Sequence, residues 1–309
     1  MTLRTFLLAA TASLALGSGA HAAGCDKVTF SDVGWTDITS TTAVATTLLQ
    51  ALGYETDIKI LSVPVSYSAL SSGDVDVFLG QWMPSMEADF APYRDNGSVE
   101  VLRTNLTGAK YTLATNEAGA KLGIKDFADI AKHAKELDAK IYGIEPGNDG
   151  NRLILDMVGK DAFGLKDFEV VESSEQGMLA QVARADKEGQ PVIFLGWEPH
   201  PMNANFKMSY LTGGDDFFGP NFGGAEVQTD VRKGYVAECP NVGKFLQNLE
   251  FSLEMENQIM GKILDDGEDP PAAAKAWLQA NPGAIGPWLA GVTTKDGNDA
   301  AAAVAAALK

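Results

Sequence analysis

Strand-like and helix-like segments alternate along most of the chain. Residues 27–34 (KVTFSDVG) are typical of a strand, residues 39–52 of a helix and residues 56–63 of a second strand. The pattern restarts with a strand at 112–116 (TLATN) and a helix over 126–137. Because helices that alternate with strands cover the faces of a parallel sheet, this order predicts an α/β fold with largely parallel sheets.

Two crossings join the two α/β units that this pattern predicts. One lies near residues 107–110, and the other lies near residues 219–225, after a loop rich in Gly and Asp. The chain therefore leaves the first unit, builds the second and returns. This connectivity resembles that of two-lobed solute-binding proteins. It predicts a first lobe of residues 23–108 and 220–309 and a second lobe of residues 109–219.

The first 22 residues are typical of a secretory signal peptide. They contain one basic residue, Arg4, then an apolar run over 6–16 and the small-residue pattern AHA at 20–22. The apolar run is too short to span a membrane as a helix. We therefore expect cleavage near Ala22 and a mature protein that works outside the cytoplasm.

Only two cysteines occur in the sequence, Cys25 and Cys239. In an exported protein an even pair most simply forms a disulfide, and the alternative is two buried free thiols. A bridge would tie the start of the mature chain to its last third. Both parts would then have to belong to the same lobe.

The charge balance restricts the partners of the protein. The sequence has 41 acidic and 24 basic residues, which gives a net charge of −17. Such a surface repels nucleic-acid phosphates and anionic lipids, so we expect neither as a partner. The same field attracts a small cation.

Two stretches share the order apolar run, Leu-Gly, Trp and Pro, namely VDVFLGQWMPS at 75–85 and PVIFLGWEPHP at 191–201. They place Trp82 and Trp197 at the carboxyl ends of predicted strands, and Trp35 follows its strand in the same way. Ligands of parallel α/β proteins bind beyond these strand ends. A single Trp is more often a packing residue, but three at corresponding positions favour a binding site.

Aromatic walls of this kind suit a cation. The face of an indole or phenol ring attracts positive charge, and a quaternary ammonium has no N–H group to offer to a polar site. Tyr111, at the first crossing, is a fourth candidate for the wall. Asp37 could place a carboxylate beside the cation or accept a ligand hydroxyl, or it could only start the helix that follows. Asn148, between a strand and a helix, could bind a ligand oxygen or only form a turn.

No set of residues indicates catalysis. His133 lies in a segment rich in Ala and Lys and His200 between two prolines, and they form no zinc set of conventional spacing. No G-x-S-x-G motif occurs. Glu198 lies beside Trp197, but nothing else supports a hydrolase with paired carboxylates. We therefore expect no catalytic residue, no metal and no cofactor.

Five segments carry a resemblance to a known family: GWTDIT, FLGQWMPSM, GAKYTLATN, IEPGNDGN and FLGWEPHPM. They resemble the bacterial solute-binding proteins that deliver glycine betaine, proline betaine or choline to ABC importers, and the resemblance extends over essentially the whole chain. It implies a type II two-lobed fold and a disulfide between Cys25 and Cys239. It also implies a monomer in the periplasm whose partner is a membrane permease.

The resemblance implies a ligand site as well. The family's aromatic box, which holds a trimethylammonium group, falls on Trp35, Trp82, Tyr111 and Trp197. Its acidic contact falls on Asp37, and its contact near the ligand hydroxyl falls on Asn148.

The expected ligand is choline, with acetylcholine or betaines bound more weakly. The carboxylate of a betaine would repel Asp37 in a desolvated cleft, whereas the hydroxyl of choline would not. One alternative is a receptor for glycine betaine or proline betaine, which a basic residue near the cleft would favour. Another is a secreted choline-ester hydrolase, which would need a nucleophile and a base.

Overall fold

The computed structural model describes residues 25–309, so the predicted signal peptide lies outside the described part of the chain. Within residues 25–309 no helix has both the length and the apolar character needed to cross a membrane. The strands of this part are β1 (Lys27–Asp32), β2 (Glu55–Ile60), β3 (Val77–Met83), β4 (Val99–Asn116), β5 (Lys140–Tyr142), β6 (Glu169–Val171), β7 (Ile193–Glu198), β8 (Met208–Tyr210) and β9 (Gly224–Arg232).

The helices up to β9 are α1 (Thr36–Ala51), α2 (Val63–Ser72), α3 (Glu87–Asp95), α4 (Glu117–Leu122), α5 (Phe127–Ile130), α6 (Asp149–Gly159), α7 (Glu175–Glu188), α8 (Met202–Asn205), α9 (Asp215–Phe218) and α10 (Pro220–Gly223). The helices after β9 are α11 (Tyr235–Glu238), α12 (Pro240–Asn248), α13 (Leu253–Leu264), α14 (Pro270–Ala280), α15 (Pro282–Trp288) and α16 (Ala300–Ala307).

The strands form one continuous sheet in the order β2-β1-β3-β9-β4-β7-β5-β6, with β8 paired to β4. Strand β1 pairs in parallel with β2 and β3, and β5 pairs in parallel with β6 and β7. Antiparallel pairs that involve β4 and β9 connect these two parallel groups. Each parallel group and the helices around it form one lobe, so the predicted α/β fold with two lobes is confirmed.

Strand β4 runs through both lobes without a break. Its first part pairs with β9 and its last part with β7. The sequence predicts two separate strands here, around 99–103 and at 112–116. The strand stays continuous because β9 pairs with its first part and β7 pairs with its last part. The crossing itself is a register shift between Leu106 and Ala109, where Gly108 has φ of +78°.

Two helices differ from their predicted extents. Helix α1 begins at Thr36 rather than at residue 39, with Trp35 as its N-cap residue. The helix predicted over 126–137 is the single turn α5 followed by a 3-10 turn at Ala131–His133. This short turn is enough to bury the side chains of Phe127 and Ile130, so the apolar spacing does not require a longer helix.

The C-terminal helices belong to the first lobe. Helices α13 and α14 pack against α1. Cys25, just before β1, forms a disulfide with Cys239, the residue before α12. The predicted bridge is therefore present, and it joins the segment before β1 to the start of α12.

Candidate binding site between the lobes

A small cavity lies between the two lobes. The residues that line it are Trp35, Asp37, Trp82, Tyr111, Ile144 and Trp197. The first three come from the first lobe and the last three from the second. The four aromatic side chains are at most 6% exposed. Five of the six ligand-binding residues predicted from the sequence thus come together around one cavity.

Trp35 reaches across from the first lobe to the second. It precedes the first turn of α1, and its indole Nε1 donates a hydrogen bond of 2.8 Å to Oε1 of Glu145. Glu145 follows β5 in the second lobe. This bond fixes the plane of the indole ring while its face remains part of the cavity wall.

Asp37 is held by another wall residue. Trp82 Nε1 donates to Asp37 Oδ2 over 3.0 Å, and the aspartate is only 1% exposed. Among residues 25–309, Asp37 Oδ1 has no hydrogen-bond partner. Burial, and then the charge of Glu175, raise the pKa of Asp37 to about 8. The cavity therefore contains a buried carboxyl oxygen that is available to a ligand hydroxyl or to a cation.

Tyr111 is positioned by the loop that starts α6. Its hydroxyl donates to Asn148 Oδ1 over 3.0 Å, and the same oxygen accepts the backbone N–H of Asn151 and so caps the helix. A Cβ atom at Gly150 would lie 2.0 Å from the Tyr111 hydroxyl oxygen. Only glycine leaves room for the phenol here. Asn148 thus contacts Tyr111, and it is not among the residues that line the cavity.

Trp197 completes the wall from the second lobe. It lies directly opposite Tyr111 in the antiparallel pair of β4 and β7, and the two ring centroids are 6.3 Å apart in an edge-on arrangement. The Trp82 and Tyr111 centroids are 5.9 Å apart. Behind Trp197, the ring of His200 packs edge-on at 4.8 Å. The aromatic groups thus form one contiguous surface built from both lobes.

The two related sequence stretches have the same local structure. Trp82 is the penultimate residue of β3 and Trp197 is the penultimate residue of β7. In each case the strand ends at the next residue, which is followed by a cis proline, Pro84 or Pro199. Since proline has no N–H group to donate, it cannot continue the strand pairing. The tryptophan next to the end of each strand is the side chain that lines the cavity.

Further carboxyl groups with little exposure to solvent lie near the residues that line the cavity. Burial raises the pKa of Glu145 to about 7 and that of Asp149 to about 6. Burial, and then the charge of Asp37, raise the pKa of Glu256. No lysine or arginine is among the cavity-lining residues of the described chain. The surroundings therefore favour a cation over an anion.

The sequence does not point to Ile144, Glu145 or Glu175. Ile144 lines the cavity, Glu145 binds Trp35, and Glu175 contacts the first turn of α1. The available signal was the position of Ile144 and Glu145 after a strand and before Pro146. Glu175 gives no such signal, because its partner is 139 residues away in the sequence.

The family model for the substrate binding domain of ABC-type glycine betaine transport systems matches residues 26–280. The chain belongs to this family. Its members are solute-binding components of transport systems, which agrees with the class of protein that the sequence predicts.

Solved structures agree with this assignment. The chain is 73% identical to an ABC-transporter choline binding protein in complex with choline, with a TM-score of 0.92 over 93% of this chain and 99% of that chain. A choline binding protein in an unliganded semi-closed conformation is also 73% identical, with a TM-score of 0.86 over 92% and 99% of the two chains. A lactococcal OpuAC in its closed form with glycine betaine shares the fold at 24% identity, with a TM-score of 0.76 over 85% and 99%.

Proposed function

We propose that this protein is a periplasmic receptor that binds choline between its lobes and delivers it to the permease of an ABC importer. The observation that carries the proposal is the cavity itself, which has four aromatic walls, one carboxyl oxygen without a partner in the described chain and no basic lining residue. The likeness to a choline complex at 73% identity supports the choice of ligand.

The trimethylammonium group would lie against the faces of Trp35, Trp82, Tyr111 and Trp197. Each cation–π contact contributes roughly 0.5 to 2 kcal/mol, with the larger values at desolvated sites. The choline hydroxyl would donate to Asp37 Oδ1. Asn148, which we place near the hydroxyl end of the ligand, would also act through Tyr111, whose hydroxyl it holds.

Binding and closure of the lobes would be coupled. The walls come from both lobes, so the complete box exists only when the lobes are together. A ligand that contacts both lobes has a higher affinity for the closed form and shifts the equilibrium towards it. We place the lobe boundaries at 108/109 and 219/220, where Gly108 and Gly219 have φ of +78° and +104°. The closed form would be the one that the permease recognises.

The receptor would carry out no chemistry and would need no metal or cofactor. Residues 1–22 would be removed as a signal peptide during export. A hydrolase for choline esters would need a nucleophile and a base at the cavity, and the six lining residues provide no serine, cysteine or histidine.

Choline should bind more tightly than glycine betaine. The carboxylate of the betaine would have to enter a cavity beside Asp37, with Glu145 and Glu175 close to it and no basic lining residue. Like charges in a desolvated site are costly. The betaine receptor remains the second candidate, because the family is defined on glycine betaine transport.

Calorimetric titration of the mature protein with choline, acetylcholine and glycine betaine tests the proposal. Choline should give the smallest dissociation constant. A dissociation constant for glycine betaine equal to or below that for choline would contradict it.

A further inference from the structure

Glu175 connects the two lobes beside the cavity. It is the first residue of α7 in the second lobe and is 1% exposed. Its Oε2 accepts the backbone N–H of Thr36 over 2.8 Å, and its Oε1 accepts the Thr36 hydroxyl over 2.6 Å. Thr36 is the first residue of α1 in the first lobe. One carboxylate therefore makes two hydrogen bonds across the cleft.

Helix α1 is not capped by its own N-cap residue. Its N-cap residue is Trp35, and the Trp35 side chain makes no capping hydrogen bond. The first backbone N–H groups of a helix lack partners within the helix, and the helix dipole places partial positive charge there. The Glu175 carboxylate supplies both an acceptor and a negative charge at this end. The cap of α1 is thus provided by the opposite lobe.

His200 holds the carboxylate in place. Its Nδ1 accepts the backbone N–H of Met202 over 2.9 Å, so the proton of the neutral ring is on Nε2. Nε2 then donates to Glu175 Oε1 over 3.1 Å. The same ring packs against Trp197. A continuous set of contacts therefore runs from one aromatic wall, through His200 and Glu175, to the first turn of α1.

We propose that Glu175 is a positioning residue for ligand binding. It caps α1 only when the lobes close. The cap fixes Trp35 and Asp37, which lie on either side of Thr36. The proposal rests on the proposed function, because it assigns Glu175 to the closure of that same site. When the lobes separate, Thr36 returns to water, and Glu175 keeps its hydrogen bond from His200 within its own lobe. Their contact therefore stabilises the closed, liganded form and not the open form.

The consequence is kinetic. A contact that exists only in the closed state slows the release of ligand and leaves its entry almost unchanged. It also leaves the melting temperature of the ligand-free protein unchanged, whereas a residue with a purely structural role would lower it.

The test compares Glu175→Gln with Glu188→Gln, the same substitution at the exposed other end of α7. Choline association and dissociation are followed by stopped-flow tryptophan fluorescence, and melting temperatures are measured with and without choline. Glu175→Gln should raise the dissociation rate by roughly tenfold or more, change the association rate by less than about threefold and leave the ligand-free melting temperature unchanged. Glu188→Gln should match the wild type.

A dissociation rate for Glu175→Gln equal to that of Glu188→Gln would overturn the proposal. So would a lower ligand-free melting temperature with a normal dissociation rate. If Glu175→Gln does not fold, Thr36→Val, which removes the hydroxyl donor to Glu175 Oε1, gives the same test and should show faster release. If the wild type binds no choline, the proposed function fails, and the comparison is then made with glycine betaine as the probe.

Discussion

Trp82 donates its indole N–H to Asp37 Oδ2 over 3.0 Å, and this leaves Asp37 Oδ1 without a partner among residues 25–309. Trp82, which forms one wall of the cavity, therefore orients the Asp37 carboxyl group that we assign as the partner of the ligand hydroxyl. The two residues lie in different elements of the first lobe, β3 and α1. Removal of either should disturb the other, so their contributions to binding should not be additive.

Replacement of Trp82 by alanine should weaken choline binding by roughly 30-fold or more, since a desolvated cation–π contact contributes about 2 kcal/mol. The loss of the hydrogen bond to Asp37 adds to this effect. Calorimetry measures the change, and circular dichroism checks that the fold is retained. Trp277→Ala is the control, because Trp277 lies in α14 and its indole binds Gln258 at the surface. Equal affinities for the two variants would show that Trp82 is not part of the box.

Asp37→Asn should lower the affinity for choline and raise the affinity for glycine betaine relative to choline. The amide can still accept a hydroxyl through its oxygen, but it no longer attracts the ammonium or repels a carboxylate. Competition between the two ligands for the variant and the wild type gives the ratio directly. An unchanged ratio would mean that Asp37 does not set the preference.

Gly150→Ala should weaken binding by about tenfold, because its new Cβ would lie 2.0 Å from the Tyr111 hydroxyl oxygen and force the phenol out of position. Gly159→Ala is a matched control at the other end of α6, where a Cβ meets nothing within 4 Å. Tyr111→Phe should cost less than Gly150→Ala, because the ring face stays in the wall. A normal affinity for Gly150→Ala would contradict the role that we give to Tyr111.

Closure of the empty protein should depend on pH. Burial raises the pKa of Asp37 from 3.8 to about 8 and that of Glu145 from 4.5 to about 7. Because the pKa values of these carboxyl groups are raised in the closed form, their protonation favours closure. This stabilisation is fully present at a pH below the ordinary pKa and is lost as the pH rises through the raised pKa. Glu175, Asp149 and Glu256 add to the acidic surroundings.

Small-angle scattering measures this effect. Without ligand, the closed fraction should fall as the pH rises from 5 to about 8.5. With saturating choline, the protein should stay closed over the same range, because the cation compensates the ionised carboxylates. Asp37→Asn should reduce the change in the ligand-free protein. An increase in the closed fraction of the ligand-free protein with rising pH would contradict the predicted direction of this effect.

Sequence patterns predict those parts of the site that depend on local order. Trp82 and Trp197 follow apolar runs and precede prolines, so their position at strand ends can be read from neighbouring residues. The α/β character of the fold follows in the same way from the alternation of strands and helices. The long strand β4 does not, because its continuity depends on pairing with β9 and β7, which lie far away in the sequence.

Contacts across the cleft are the part that sequence patterns do not predict. Glu145 and Glu175 look like ordinary surface carboxylates in a very acidic chain, yet each accepts a hydrogen bond from the first lobe. Asn148 combines the two cases. Its position before a helix predicts a contact with the ligand, whereas the hydrogen bond that its oxygen accepts from Tyr111 depends on the folded structure.

A crystal structure of the mature protein with choline tests the central claim most directly. We expect the ammonium nitrogen to lie within about 6 Å of the ring centroids of Trp35, Trp82, Tyr111 and Trp197. The hydroxyl should lie within hydrogen-bond distance of Asp37 Oδ1, with the lobes closed as they are here. Choline bound outside this cavity, or a cavity that stays empty at saturating choline, would contradict the account.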